Sequence, residues 1–144
     1  MASSIIGGLI TQGFSADSII ASDPSGQSLI SLQKLTKVRT TNNNNEAIAN
    51  VDVVILAVKP QIMQSVLTDI AATANIHKPL FISIAAGIPI NSLNNWLGSD
   101  MAIVRCMPNT PSLIQLGASG LFANEHTSIV QKNLAETVLK AAGI

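Results

Sequence analysis

Residues 52–60 read Asp52-Val53-Val54-Ile55-Leu56-Ala57-Val58-Lys59-Pro60, and the fold follows from them. An unbroken apolar run from Val53 to Val58 is the mark of a parallel strand buried on both faces, since a strand with one wet face alternates. Pro60 suits a first helical position, where its fixed φ is already right and its missing N–H is not needed. Beyond it Ile62, Met63, Val66, Leu67, Ile70 and Ala74 recur at helical spacing. Strand, abrupt exit and amphipathic helix make half of a crossover unit.

Working outward, the same alternation continues on both sides. Residues 80–84 form the next strand, followed by the small residues Ala85-Ala86-Gly87. Ile90, Leu93 and Leu97 make a short helical stripe closed by Gly98, and residues 102–106 are again strand. Met107-Pro108-Asn109-Thr110-Pro111 is irregular, because prolines stand within it and at its end. Residues 117–123 are one more candidate strand, and Val130, Leu134 and Val138, spaced by four, give a last helix ending at Gly143. Upstream, Ile5, Ile6, Leu9 and Ile10 share a helical face that stops at Gly13. Ile19-Ile20-Ala21 is a short strand running into the turn Asp23-Pro24-Ser25-Gly26; Leu29, Leu32 and Leu35 suggest a helix, and residues 38–41 a strand. Asn42 to Asn45 is the one low-complexity patch, and residues 46–50 make at most a turn or two of helix. Strands alternating with helices predict one α/β domain over residues 1–144, a doubly wound, mainly parallel sheet of Rossmann type.

Composition narrows the function. The 144 residues are 47% hydrophobic and 11% charged, with eight basic and eight acidic side chains, so the formal net charge is zero. No basic stripe gathers to meet a phosphate backbone, and an aromatic fraction of 3% supplies no base-stacking platform, so no nucleic-acid partner is expected. The longest apolar run falls far short of the roughly 20 residues of a bilayer-spanning helix. No membrane partner is expected either, and the first residues lack a basic leader. A single cysteine, Cys106, fits a reducing, cytoplasmic setting and reads as a core thiol. His77 and His126 have no partners at metal-ligand spacing, so no metal is expected.

In a doubly wound sheet ligands gather at the carboxyl ends of the strands. Asp23 stands where an acidic residue accepts hydrogen bonds from ribose hydroxyls, although Asp-Pro starts a turn equally well. Lys59 is in reach of a ribose or phosphate, or is simply solvated. Ala85-Ala86-Gly87 leaves room for a planar ring, or merely makes a tight exit. Asn109 and Thr110, held between prolines, offer a preorganised amide and hydroxyl. Trp96 reads as packing beside Leu93 and Leu97, and Arg105 as a strand-end charge. The glycine-rich phosphate loop is absent, since Gly7-Gly8 lies inside the first helix.

Three motifs in order, Ala57-Val58-Lys59-Pro60-Gln61, Ser83-Ile84-Ala85-Ala86-Gly87 and Arg105-Cys106-Met107-Pro108-Asn109-Thr110-Pro111, resemble the amino-terminal domain of pyrroline-5-carboxylate reductases. The resemblance covers essentially all 144 residues. It implies NADPH- or NADH-dependent reduction of the cyclic imine of pyrroline-5-carboxylate to proline by a homo-oligomeric enzyme. By the same resemblance, Asn43 or Asn44 lies near the adenosine part of the cofactor. Ala57, Lys59 and Pro60 lie along its central ribose and phosphate region and Ala86, Asn109 and Thr110 around the nicotinamide, with Val58, Ala85, Gly87 and Met107 also among the cofactor-binding residues and Asn109 and Thr110 as the catalytic pair. Met1 and Ala2 match the end of the family's Gly-x-Gly-Asn-Met-Ala loop, and Ser25 with Asp23 borders the adenosine ribose. Asp23 would repel a 2′-phosphate while Ser25 and Gln27 could bond one, so the choice of dinucleotide stays open.

Relative to the family pattern, the sheet is incomplete at its N-terminus. The chain reads as a fragment without the first strand, the leading glycines and the second, helical dimerisation domain. In the strand order 3-2-1-4-5-6 the absent strand is central, between residues 19–21 and 52–58, so its loss leaves a hole. Two other readings stand beside this one: a non-catalytic nucleotide-binding remnant, and a two-domain dehydrogenase of the beta-hydroxyacid type.

Overall fold

The computed structural model describes residues 2–98, 100–107, 120–141 and 143. Helix α1 (Ala2–Thr11) and a 3-10 turn (Ala16–Ser18) precede strand β1 (Ile20–Ser22), helix α2 (Gly26–Thr36) and strand β2 (Arg39–Thr41). Helix α3 (Asn44–Ile48), strand β3 (Val53–Leu56), helix α4 (Pro60–His77) and strand β4 (Leu80–Ser83) follow. Helix α5 (Ile90–Leu97), strands β5 (Ile103–Met107) and β6 (Gly120–Ala123), and helix α6 (Ile129–Ala141) complete the order. The fold is the expected mixed α/β architecture of Rossmann type, with parallel pairing dominant.

The sheet comes in two pieces. β1 pairs with β2 in parallel, Ile20 opposite Arg39, while β3, β4, β5 and β6 form a second sheet in that order. In the second sheet β3–β4 and β4–β5 are parallel and β5–β6 is antiparallel. Among the described residues no backbone hydrogen bond joins β1 to β3. These are the two strands expected to flank the absent one. The split also corrects the reading of residues 52–58: all of β4 is buried, yet Val53, Val54 and Ile55 are only partly so, because among the described residues β3 has a strand neighbour on one side alone.

Each face of the larger sheet has its own core. On one, Leu56, Phe81 and Ile103 meet Met63, Leu67 and Ile70 of α4 and Leu93 and Leu97 of α5, with Ile48 of α3 at the border. Trp96 packs against this cluster, as expected. On the other, Leu80, Ile82, Val104 and the buried Cys106 meet Ile5 and Leu9 of α1 and Ala135, Val138 and Leu139 of α6. Each Leu, Ile, Val, Phe or Met among them contributes about 1.5–3 kcal/mol by its burial.

Two helical stripes need correction. Ile62 is 47% exposed in the first turn of α4, and the buried line runs through Met63, Leu67, Ile70 and Ala74. Val130 is 76% exposed, and α6 turns Ala135, Val138 and Leu139 inward. Residues spaced strictly by four drift about 40° per step around a helix, so Val138 reaches the core after Val130 has rotated off it. Met107 closes β5, where an irregular segment was expected; residues 108–111 lie outside those described.

A polar clamp fastens the antiparallel end. Asn124 donates from Nδ2 to the Met101 carbonyl (2.7 Å) and accepts at Oδ1 from the Ile103 N–H (3.2 Å) and the Thr127 hydroxyl (2.8 Å). The Ile103 N–H is shared with Thr127 Oγ1 (3.1 Å). Gly98 ends α5 at φ 108°, and a Cβ there would stand 2.9 Å from Nδ2 of Asn75, which donates to the Leu97 carbonyl (2.9 Å). Gly98→Ala should therefore lower the unfolding free energy by about 1–2 kcal/mol in urea titrations; an unchanged midpoint would show that the turn relaxes freely.

Candidate functional site

Two groups of polar residues form at strand exits. The first lies beyond β1 and β2. Asp23 accepts at Oδ1 from the Ser25 N–H (2.7 Å), and its own N–H bonds the Thr41 carbonyl (3.3 Å). Ser25 caps α2 by accepting from the Ser28 N–H (3.3 Å), and Asn43 caps α3 by accepting from the Glu46 N–H (3.2 Å). Asn44 is tied back to β1, its Oδ1 accepting from the Ser22 hydroxyl (2.5 Å). The turn-forming reading of Asp23 is thus realised, and the exposed Ser25 and Asn43 likewise hold local structure. Each carboxylate or amide oxygen keeps a further lone pair for a ligand.

The second group lies beyond β3 and β4. Ala57 and Val58 leave the sheet half-buried, and Lys59 and Pro60 are exposed at the start of α4. Lys59 is the N-cap of α4, but its side chain makes no capping bond; Pro60 removes one N–H from that end, and the Ile62 N–H bonds the Lys59 carbonyl (3.1 Å). Such a terminus has N–H groups and a partial positive charge available to an anion. One strand over, the fully buried Ser83 accepts from the Ala85 N–H (3.3 Å). That bond turns the chain into exposed Ala86 and Gly87, the latter at φ 78° with nothing within 4 Å of where a Cβ would be.

The two groups are not linked to each other by any hydrogen bond among the described residues. α3 does reach α4, through Thr73 Oγ1 to Asn45 Oδ1 (2.6 Å). Met1, Asn109 and Thr110 lie outside the described residues, as does the Met107 side chain; Ala2 opens α1 and is exposed. Ser22 was not singled out by the sequence and Ser83 only as part of a motif, without a role; a lone hydroxyl closing an apolar strand is the signal that finds both. Arg105, on β5 beside Ser83, is partly buried, and its Nε has no hydrogen-bond partner. Among the described residues no three metal-ligating side chains gather, and no helix is long and apolar enough to cross a membrane.

Parallel strands with exits at Asp23, Lys59 and Gly87, covered by helices on both faces, define an α/β domain of the Rossmann type. The chain belongs to the family described as NADP oxidoreductase, coenzyme F420-dependent, which matches residues 1–87. It is 46% identical over 144 residues to the pyrroline-5-carboxylate reductase of Pseudomonas aeruginosa, with 100% of this chain and 52% of the relative aligned. The solved pyrroline-5-carboxylate reductase of Coxiella burnetii superposes with a TM-score of 0.91 at 40% identity, over 99% of this chain and 53% of that one. Plasmodium falciparum pyrroline carboxylate reductase, solved with NADP bound, gives 0.81 at 28% identity, over 99% and 51%. The chain spans about half the length of the curated relatives it matches. The resemblance read from the three motifs is borne out.

Proposed function

We propose that residues 1–144 are the dinucleotide-binding half of a cytoplasmic, homo-oligomeric pyrroline-5-carboxylate reductase, which reduces that small cyclic imine carboxylate to proline with NADPH or NADH. The observation that carries the reading is 46% identity over 144 residues, the whole of this chain. The exits fit such a cofactor. An uncapped helix start beside Lys59 suits phosphate, and the open backbone at Ala86 and Gly87 admits a flat ring.

When bound, the dihydronicotinamide supplies the hydride. Lys59 and the first turn of α4 neutralise phosphate charge, and Asp23, Ser25, Asn43 and Asn44 border the adenosine end. Ala57, Val58 and Pro60 shape the path between them. Ala85, Ala86, Gly87 and Met107 bound the ring, while Asn109 and Thr110 orient it against the imine. Hydride addition to a protonated C=N bond needs positioning more than covalent help, so a site of small residues and amides suffices.

A graft tests this: residues 1–144 replace the matched 52% of the Pseudomonas aeruginosa reductase. The graft should oxidise NADPH when given pyrroline-5-carboxylate. Asn109→Ala should lower kcat by about 10²-fold with cofactor affinity intact, and Lys59→Glu should weaken NADPH about tenfold. A folded graft that binds NADPH without turning over would refute the assignment. The second reading is a nucleotide-binding remnant without turnover; the graft should then bind NADPH and stay inactive.

A further inference from the structure

Around the exits of β1 and β2 the chain carries carboxylates and no cation. Residues 20–33 and 40–58 contain no lysine or arginine, while Asp23 and Glu46 stand beside the two exits. The basic residues closest in sequence lie at the other end of the same elements. Lys34 is in the last turn of α2, about 12 Å along the helix from Gly26, and Lys37 caps that far end. Arg39 opens β2, whose exit is at Thr41, level with Ser22 of the parallel β1. Lys59 belongs to the exit of β3. Among the described residues Asp23 forms no ion pair. Its carboxylate is nonetheless held in place, because Oδ1 accepts from the Ser25 N–H at 2.7 Å, and Oδ2 has no hydrogen-bond partner among those residues.

We propose that Asp23 makes this domain select NADH over NADPH. The proposal deepens the function given above and rests on it. An ionised carboxylate accepts hydrogen bonds and cannot donate them, so Oδ2 takes the hydroxyls of the adenosine ribose, and the same charge opposes a phosphate at the 2′ position. Two features favour that phosphate, the Ser25 hydroxyl and the start of α2. The helix start offers about half an elementary charge, and two of its N–H groups are already taken, Ser28 by Ser25 Oγ (3.3 Å) and Leu29 by the Ser25 carbonyl (3.2 Å). A phosphate monoester brings about one and a half to two negative charges against the full charge of Asp23, so repulsion prevails. NADPH is still bound, but weakly. The adenosine end is remote from the ring that gives up the hydride, and the discrimination therefore lies in binding and not in the chemical step.

The test titrates the graft described above with NADH and with NADPH, following the fluorescence of the reduced dinucleotide. Kd for NADH should be about 30-fold the lower, and the ratio should narrow as salt is raised, because the repulsion is screened. Asp23→Asn keeps an acceptor for the Ser25 N–H and removes the charge, which separates electrostatics from the shape of the turn. It should tighten NADPH about tenfold and leave NADH within about threefold. Equal Kd values, or tighter binding of NADPH, would overturn the preference, and a graft that still reduced the imine would leave the reductase reading standing. An Asp23→Asn graft with the parent's ratio would overturn the role of Asp23. A graft that held NADH the more tightly yet never reduced the imine would bear out the preference and sink the reductase reading instead.

Discussion

Asn124→Ala should lower the unfolding free energy by about 3 kcal/mol, an effect comparable to deleting a large core side chain. The loss has two parts. The Met101 carbonyl, in a fully buried residue, loses the donor that holds it at 2.7 Å, and an unsatisfied buried carbonyl alone costs about 1–3 kcal/mol. The Thr127 hydroxyl and the His126 N–H lose the acceptor they share at Oδ1, which frees the turn leading into α6. The Ile103 N–H keeps Thr127 as a partner, which sets the ceiling. Asn124→Asp separates the contributions, since it retains the acceptor and deletes the donor; it should recover less than half of the loss. Urea unfolding of the three proteins decides the matter, and a change below about 1 kcal/mol for the alanine variant would show that water takes over the clamp.

Amide exchange should divide the molecule along the split in its sheet. A ribbon of two strands, three residues each, is not stable by itself. β1 and β2 are held by α3, β2 also by α2, and by the burial of Leu29 and Val38, while β4 is paired on both sides and fully buried. The bonded amides of Asp23 and Arg39 should therefore exchange on the order of 10³ faster than those of Leu80 and Phe81, which corresponds to about 4 kcal/mol of opening energy. Equal rates in the two sets would mean that the molecule opens only as a whole.

How far the residues announce this structure varies with the physics behind each signal. Pro60 opens α4 and Gly98 closes α5 as read, because ring geometry and positive φ are local properties of one residue. The burial of β3 was overestimated, since an apolar run shows what a strand is suited to and not which neighbours it has. The exposure of Val130 arises because hydrophobic spacing fixes a face only to within a turn's drift. At the site, Asp23, Ser25, Asn43 and Asn44 were legible as polar residues at strand exits. That their side chains already serve caps and turns depends on the backbone conformation around them, which no spacing rule gives. Asn124 and Thr127 carried a recognisable turn chemistry, but their importance comes from pairing with β5, some twenty residues earlier.

The two faces of the larger sheet close on different schedules. The face lined by α4 and α5 is built from residues 48–103, neighbours in sequence, whose contacts close short loops at small entropic cost. The opposite face needs α1 and α6, residues 2–11 and 129–141, which meet across nearly the full length of the chain. During synthesis at about 5–20 residues per second, α1 is made before β4, but the part of this face that α6 covers waits several seconds after β4 has emerged. In that interval the nascent chain offers chaperones an apolar sheet face, and a ribosome pausing before residue 129 would prolong the offer.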